Sequence, residues 1–278
     1  LALLPETVLT IAALVVLGLG VSVPRARTAI SLVALVGSLL AAAAVLVFPL
    51  DGEMLGGMLS GDPVSGVVKV AVLGLVFVCL VFAHDSFPAS HYAESVALVL
   101  FSGIGLLLLA GTMDLLMIFL GLELASVPLY ALAAMRKDSR ASAEAGLKYF
   151  LVGSVSAAFL LYGFSLIYGA TGTTNLALMA NAPSDPLLLL GIVFALGGFA
   201  FKVAAVPFHL WAPDVYEGAP TAAAALVASG SKVAGVFILA NVLVTGLGCH
   251  AGSAGWENFS AGWAPVLAIL AGASIVLG

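Results

Sequence analysis

Four ionisable side chains, Glu123, Lys148, Lys202 and Lys232, each lie inside a long apolar run, and His209 follows in a proline-marked stretch seven residues after Lys202. A charged group at the centre of a membrane helix costs at least about 2.5–3.5 kcal/mol on insertion scales, so it persists where it serves a purpose. Burial disfavours the charged form of a carboxylate or an amine, and an opposite charge nearby restores it. One carboxylate and three amines at such depth therefore suit proton exchange, with His209 as an acceptor at the mouth of the path. Bland readings stand beside this one. Lys148 is shallow enough to reach back to the interface, and Glu123 with Lys202 would also serve as a static pair that only fixes helix packing.

The depths follow from helix geometry. Glu123 is 13 residues before Arg136, which puts it ~20 Å from that end of its helix. Lys148 is eight residues past Arg140, ~12 Å in from the same side. Lys232 is 13 residues past Ala219, again ~20 Å deep. Pro128 removes a backbone donor and predicts a kink beyond Glu123. Small residues from Gly153 to Ala158 follow Lys148 and suit close helix contact.

The elements that must hold these groups are membrane helices. The chain of 278 residues is 63% apolar and 8% charged, against about a quarter charged in soluble domains. That excludes a soluble domain, a disordered chain and a nucleic-acid binder. Apolar runs at 7–23, 28–48, 67–83, 94–110, 113–135, 142–169, 187–207, 219–244 and 262–278 predict an all-α, polytopic transmembrane bundle of about nine helices. The runs are continuous rather than alternating, which argues against membrane strands.

Arg25 and Arg27 fall in the first loop, and Arg136, Lys137 and Arg140 in the fifth. The even loops carry Asp51, Glu53, Asp62, Asp185 and Glu257, with Lys69 at a helix edge. The positive-inside rule then puts the odd loops in the cytoplasm and the N-terminus outside. Cys79 and Cys249 lack metal-ligand or redox spacing, so no metal site is expected. The start at Leu1 and the end at Gly278 inside an apolar run predict a fragment incomplete at both ends.

Residues 207–221 hold three prolines together with His209, Trp211, Asp214, Tyr216 and Glu217. Two readings remain open from composition: a short cytoplasmic turn with Trp211 as an interfacial anchor, or a broken helix whose freed carbonyls line a wet cavity.

Several motifs together carry a resemblance. They are Gly121-Leu-Glu-Leu-Ala-Ser-Val-Pro-Leu-Tyr-Ala-Leu132, Glu144-Ala-Gly-Leu-Lys-Tyr-Phe150, Gly198-Phe-Ala-Phe-Lys-Val-Ala-Ala-Val-Pro-Phe-His-Leu-Trp211, Pro213-Asp-Val-Tyr-Glu-Gly-Ala-Pro-Thr221 and Ser231-Lys-Val-Ala234, with Leu-Leu-Pro-Glu at the start. Through them nearly the whole chain resembles the N-subunit family of bacterial NADH:quinone oxidoreductase (respiratory complex I). That family is homologous to mitochondrial subunit 2 and lies within the wider antiporter-like proton-channel subunits.

The resemblance implies a fold with two inverted five-helix repeats and a broken seventh helix. Residues 1–93 would be helices one to three, 94–244 the first repeat (helices four to eight), and 245–278 the truncated start of the second. It implies proton-relay roles for Glu123, Lys148, Lys202 (paired with Glu123) and Lys232. Ala222 departs from the family's usual Pro-Thr-Pro continuation and predicts a local change in helix start. The implied function is a proton-translocating subunit of the oxidoreductase, a translocase with no redox centre in this chain. NAD, FMN, iron–sulfur clusters and quinone would sit on partner subunits. The partners would be other membrane-arm subunits and the lipid bilayer, with no nucleic acid, in a bacterial inner (plasma) membrane. A cation/proton antiporter subunit and a non-conducting scaffold are the alternatives.

Overall fold

The computed structural model describes residues 3–23, 26–48 and 52–277. Arg25 and Asp51, used above for orientation, lie outside them. The architecture is an all-helical bundle. In chain order the helices are α1 (Leu4–Ser22), α2 (Arg27–Val47), α3 (Pro63–Ser86), α4 (Tyr92–Gly111), α5 (Leu115–Ala133), α6 (Arg140–Thr171), α7 (Leu176–Met179), α8 (Pro186–Val203), α9 (Ala212–Gly218), α10 (Thr221–Ala228), α11 (Gly230–Asn241) and α12 (Trp263–Leu277). Among the described residues, eight segments are long and apolar enough to cross a membrane, and they coincide with the first eight expected runs. The expected ninth is the 15-residue α12, shorter than the roughly 20 residues that a crossing takes.

Acidic side chains start three of these helices. Asp62 forms a capping box with Ser65 at α3. Asp114 Oδ1 accepts from the Leu116 and Met117 amides at α5, and Asp185 Oδ1 accepts from the Leu187 amide at α8. A carboxylate satisfies the orphan amides of a first turn and favours the positive end of the helix dipole. The loop after α2 holds a small antiparallel hairpin, Gly52–Met54 with Leu59–Gly61.

Helix α6 packs along α8 and α4 along α5, while α1 lies against α2 and α4. Small residues set the closest approaches: a Cβ on Gly191 of α8 would sit 2.9 Å from the Ile167 amide nitrogen of α6. The glycine at 153 in α6 leaves the space that the Tyr130 hydroxyl of α5 occupies.

Two spans are interrupted. Helix α8 stops at Val203, where Ala204 turns left-handed (φ 57°), and the chain re-enters helix only at Ala212. The eighth span, one continuous run in sequence, breaks at Ser229 between α10 and α11 and ends in a π-turn at Val242–Gly246. After the departure at Ala222, α10 begins at Thr221, directly behind Pro220.

Candidate functional site

The break after α8 creates the site. With Ala204 left-handed, the Ala204 amide donates to the Phe201 carbonyl and the Ala205 amide to the Ala200 carbonyl. The Val206 amide, the usual helical partner of the Lys202 carbonyl, donates instead to Ser274 Oγ of α12 at 3.0 Å. The released Lys202 carbonyl accepts from Lys232 Nζ of α11 at 2.7 Å. Lys232 Nζ also stands over the Trp211 ring, 4.6 Å from its centroid, an attractive arrangement for a cation. The carbonyl freed by the break lies just before residues 207–221, at Lys202, and it holds a partly buried lysine.

Lys202 is buried. Its Nζ donates to Ser126 Oγ of α5, and the Ser126 hydroxyl in turn donates to the Leu122 carbonyl. The pairing of Lys202 with Glu123 that the resemblance implies is not a direct contact here. Glu123 forms no ion pair among the described residues, and Lys202 docks one turn further along the same helix. Depth and charge predicted the right helix, but the rotation of α8 about its axis selects the hydroxyl.

Lys148 sits apart from that contact chain. Its Nζ binds Glu144 Oε1 of its own helix and Asp214 Oδ2 of α9, each at 2.8 Å, with its side chain 42% exposed. His209 lies partly buried in the turn before α9, and its Nδ1 is buried with no partner among the described residues. Trp211 is no interfacial anchor: it is 2% exposed, stacked on Tyr149 (4.5 Å, 11°) and 4.9 Å from Phe201. The turn tucks the start of α9 into the α6–α8 core and so takes the indole off the surface.

Arg136, which had only an orientational role in the sequence, donates from Nη2 to the Gly218 and Ala219 carbonyls at 3.1 Å each. A cation there matches the negative end of α9. The α5–α6 connection and α6 thus both grip the short helix that begins next to Trp211.

A further charged pair has no part in the sequence reading. Lys69 Nζ of α3 lies 2.7 Å from Glu6 Oε1 of α1, with both side chains buried. The other oxygen, Glu6 Oε2, is buried without a partner. The signal available was two opposite charges, each near the start of an apolar helix on the same predicted side. His250 is also buried, its Nε2 donating to the Ala182 carbonyl at 3.0 Å.

The fold and site define a polytopic membrane helix bundle with lysines held at helix breaks in its interior. Residues 112–278 match the model of a family described as NADH:quinone oxidoreductase/Mrp antiporter, transmembrane. The chain belongs to this family. It is 43% identical to NADH-quinone oxidoreductase subunit N 2 of Acidobacterium capsulatum over 99% of this chain and 59% of that protein. It is 39% identical to NADH-quinone oxidoreductase subunit N of Sphingopyxis alaskensis over 99% of this chain and 57% of that protein. In the structure of respiratory complex I from Thermus thermophilus with bound aureothin, one chain superposes with a TM-score of 0.72 at 34% identity, covering 85% of this chain and 52% of that one. The chain thus spans a little over half the length of the relatives it matches.

Proposed function

We propose that this chain is the proton-translocating part of a membrane subunit of NADH:quinone oxidoreductase. The observation that carries the reading is the contact chain Lys232 Nζ–Lys202 carbonyl and Lys202 Nζ–Ser126 at the interrupted α8. Two lysines that meet at unwound backbone inside a membrane bundle are arranged to exchange protons, and a merely structural bundle would shed them. Subunit-N names among the relatives support the assignment. Residues 94–244 would form the first five-helix repeat and 245–278 the start of the second, with 1–93 as three preceding helices. NADH, flavin, iron–sulfur and quinone chemistry would belong to partner subunits of the membrane and peripheral arms.

The drive would be electrostatic. Bringing Glu123 to Lys202 favours the ammonium by up to about 4 kcal/mol at a 4 Å contact and an effective dielectric near 20. Separating them releases that hold and sends the proton on. Glu123, Lys202 and Lys232 carry the relay in this reading, with Lys148 and His209 toward the cytoplasmic side and the N-terminus outside, in a bacterial plasma membrane.

A second reading, a cation/proton antiporter subunit, is favoured by the family description, which includes both kinds of assembly. The test is proton uptake by vesicles carrying the full-length protein in its assembly. Uptake driven by NADH oxidation and lost in Lys202→Ala supports the oxidoreductase. Uptake driven only by a sodium gradient supports the antiporter, and uptake unaffected by Lys202→Ala refutes a relay.

A further inference from the structure

Glu123, Ser126 and Tyr130 fall at spacings of three and four on α5, so their side chains share one face over ~10 Å of helix. Lys202 rests on the middle one. Tyr130 is buried, and its hydroxyl has no hydrogen-bond partner among the described residues. The hydroxyl lies in the space left by the glycine at 153 in α6, while its ring packs edge-on against Tyr149 at 4.7 Å. Phenylalanine would fill the same packing without leaving a buried hydroxyl unpaired, so the hydroxyl asks for a function. Ser126 in turn does more than bond back to its own helix, a common habit of serine in membrane helices, because its oxygen also accepts from Lys202. Lys148 offers no comparable contact with Lys202, since its ammonium is taken up by Glu144 and Asp214.

We infer that the Ser126 and Tyr130 hydroxyls are the groups that reload Lys202 with a proton from the Arg136 end of α5. This rests on the proton-translocating reading above and names the entry route within it. After Lys202 has passed its proton on, its amine is neutral. The Ser126 hydroxyl turns from the Leu122 carbonyl to that amine: its O–H bond breaks and an N–H bond forms in the same step in which Ser126 Oγ takes up the replacement proton, so no alkoxide is left. Ser126 Oγ takes a replacement proton from a water bonded to the Tyr130 hydroxyl, and that water is recharged from the side where α5 ends. One proton enters for each one passed on, and both hydroxyls end as they began.

The experiment is proton uptake per NADH oxidised, in inverted vesicles carrying the full-length protein in its assembly, for Ser126→Ala, Ser126→Thr, Tyr130→Phe and Lys202→Ala. The expected result is that Ser126→Ala and Tyr130→Phe fall to the ratio of Lys202→Ala, while Ser126→Thr, which keeps a hydroxyl, retains the wild-type ratio. Wild-type ratios for Ser126→Ala and Tyr130→Phe beside a loss in Lys202→Ala overturn the hydroxyl route and leave the proposed function standing. A wild-type ratio for Lys202→Ala overturns both. A loss in Ser126→Thr equal to that in Ser126→Ala assigns the position to packing and also overturns the route. Tyr130→Phe keeps the inference open to refutation even where Ser126→Ala does not assemble.

Discussion

The Lys232 ammonium donates to the main-chain carbonyl of Lys202, 2.7 Å away and 30 residues back along the chain. The link joins two titratable residues without joining their side chains. A rearrangement of the α8 break that withdrew this carbonyl would change what holds the Lys232 proton, with Trp211 as the other contact.

Lys232 discriminates a relay from a fixed charge. Arginine keeps the charge and donors for the Lys202 carbonyl but does not release a proton near neutral pH. Lys232→Arg is expected to abolish NADH-driven proton uptake with assembly intact, while Lys232→Ala leaves space for water and retains part of it. A wild-type ratio of protons to NADH in Lys232→Arg would sink the relay role here.

Ala204 holds the left-handed turn that ends α8 (φ 57°). A residue with a Cβ pays roughly 1–2 kcal/mol in that conformation. Ala204→Gly should therefore leave the break intact and raise stability by up to about 1 kcal/mol, the glycine's greater freedom when unfolded offsetting part of the relief. Ala204→Val should lower it. Unfolding midpoints in detergent measure both, and a destabilised Ala204→Gly would contradict the argument.

The Glu6–Lys69 pair ties α1 to α3 in a buried setting. Removing one partner strands a buried charge at a cost of about 3–5 kcal/mol, whereas replacing both with apolar residues of similar volume is close to neutral. Lys69→Met alone should destabilise strongly, and Glu6→Leu with Lys69→Met should recover most of the loss. Additive effects in that double-mutant cycle would mean that the two residues do not interact.

Orientation rests on the basic connections. Single cysteines at 136–140 should react only with reagents that reach the cytoplasm, and those at 52–62 only with reagents applied outside. Outside labelling of 136–140 would reverse the assignment.

Much of the architecture was legible in the chain. Continuous apolar runs mark the eight spans among the described residues, because a bilayer demands length and hydropathy. The caps themselves are local, with Asp62, Asp114 and Asp185 bonding to amides two or three residues away, yet Asp62 and Asp185 were read only as loop charges. The break near Lys202 was announced by prolines at 207, 213 and 220, which deny the backbone its helical donors. The interruption at Ser229 had no comparable marker, since Gly230 and Ser231 are common within membrane helices.

Tertiary structure alone decided who meets whom. Whether Lys202 reaches Glu123 or Ser126 depends on a rotation of α8 and an offset of one turn along α5, neither of which is written in residue type. The Lys232 partner is a carbonyl, a group that every residue carries, so only its release at Ala204 makes it distinctive. Composition left Trp211 open between a surface anchor and part of a broken helix, and it becomes a core stack because the turn before α9 folds inward. Glu6 and Lys69 are 63 residues apart, and no periodicity links them. Membrane burial dictates which segments are helices, while the contacts between helices follow from their mutual rotation and depth, which packing sets only once the bundle is assembled.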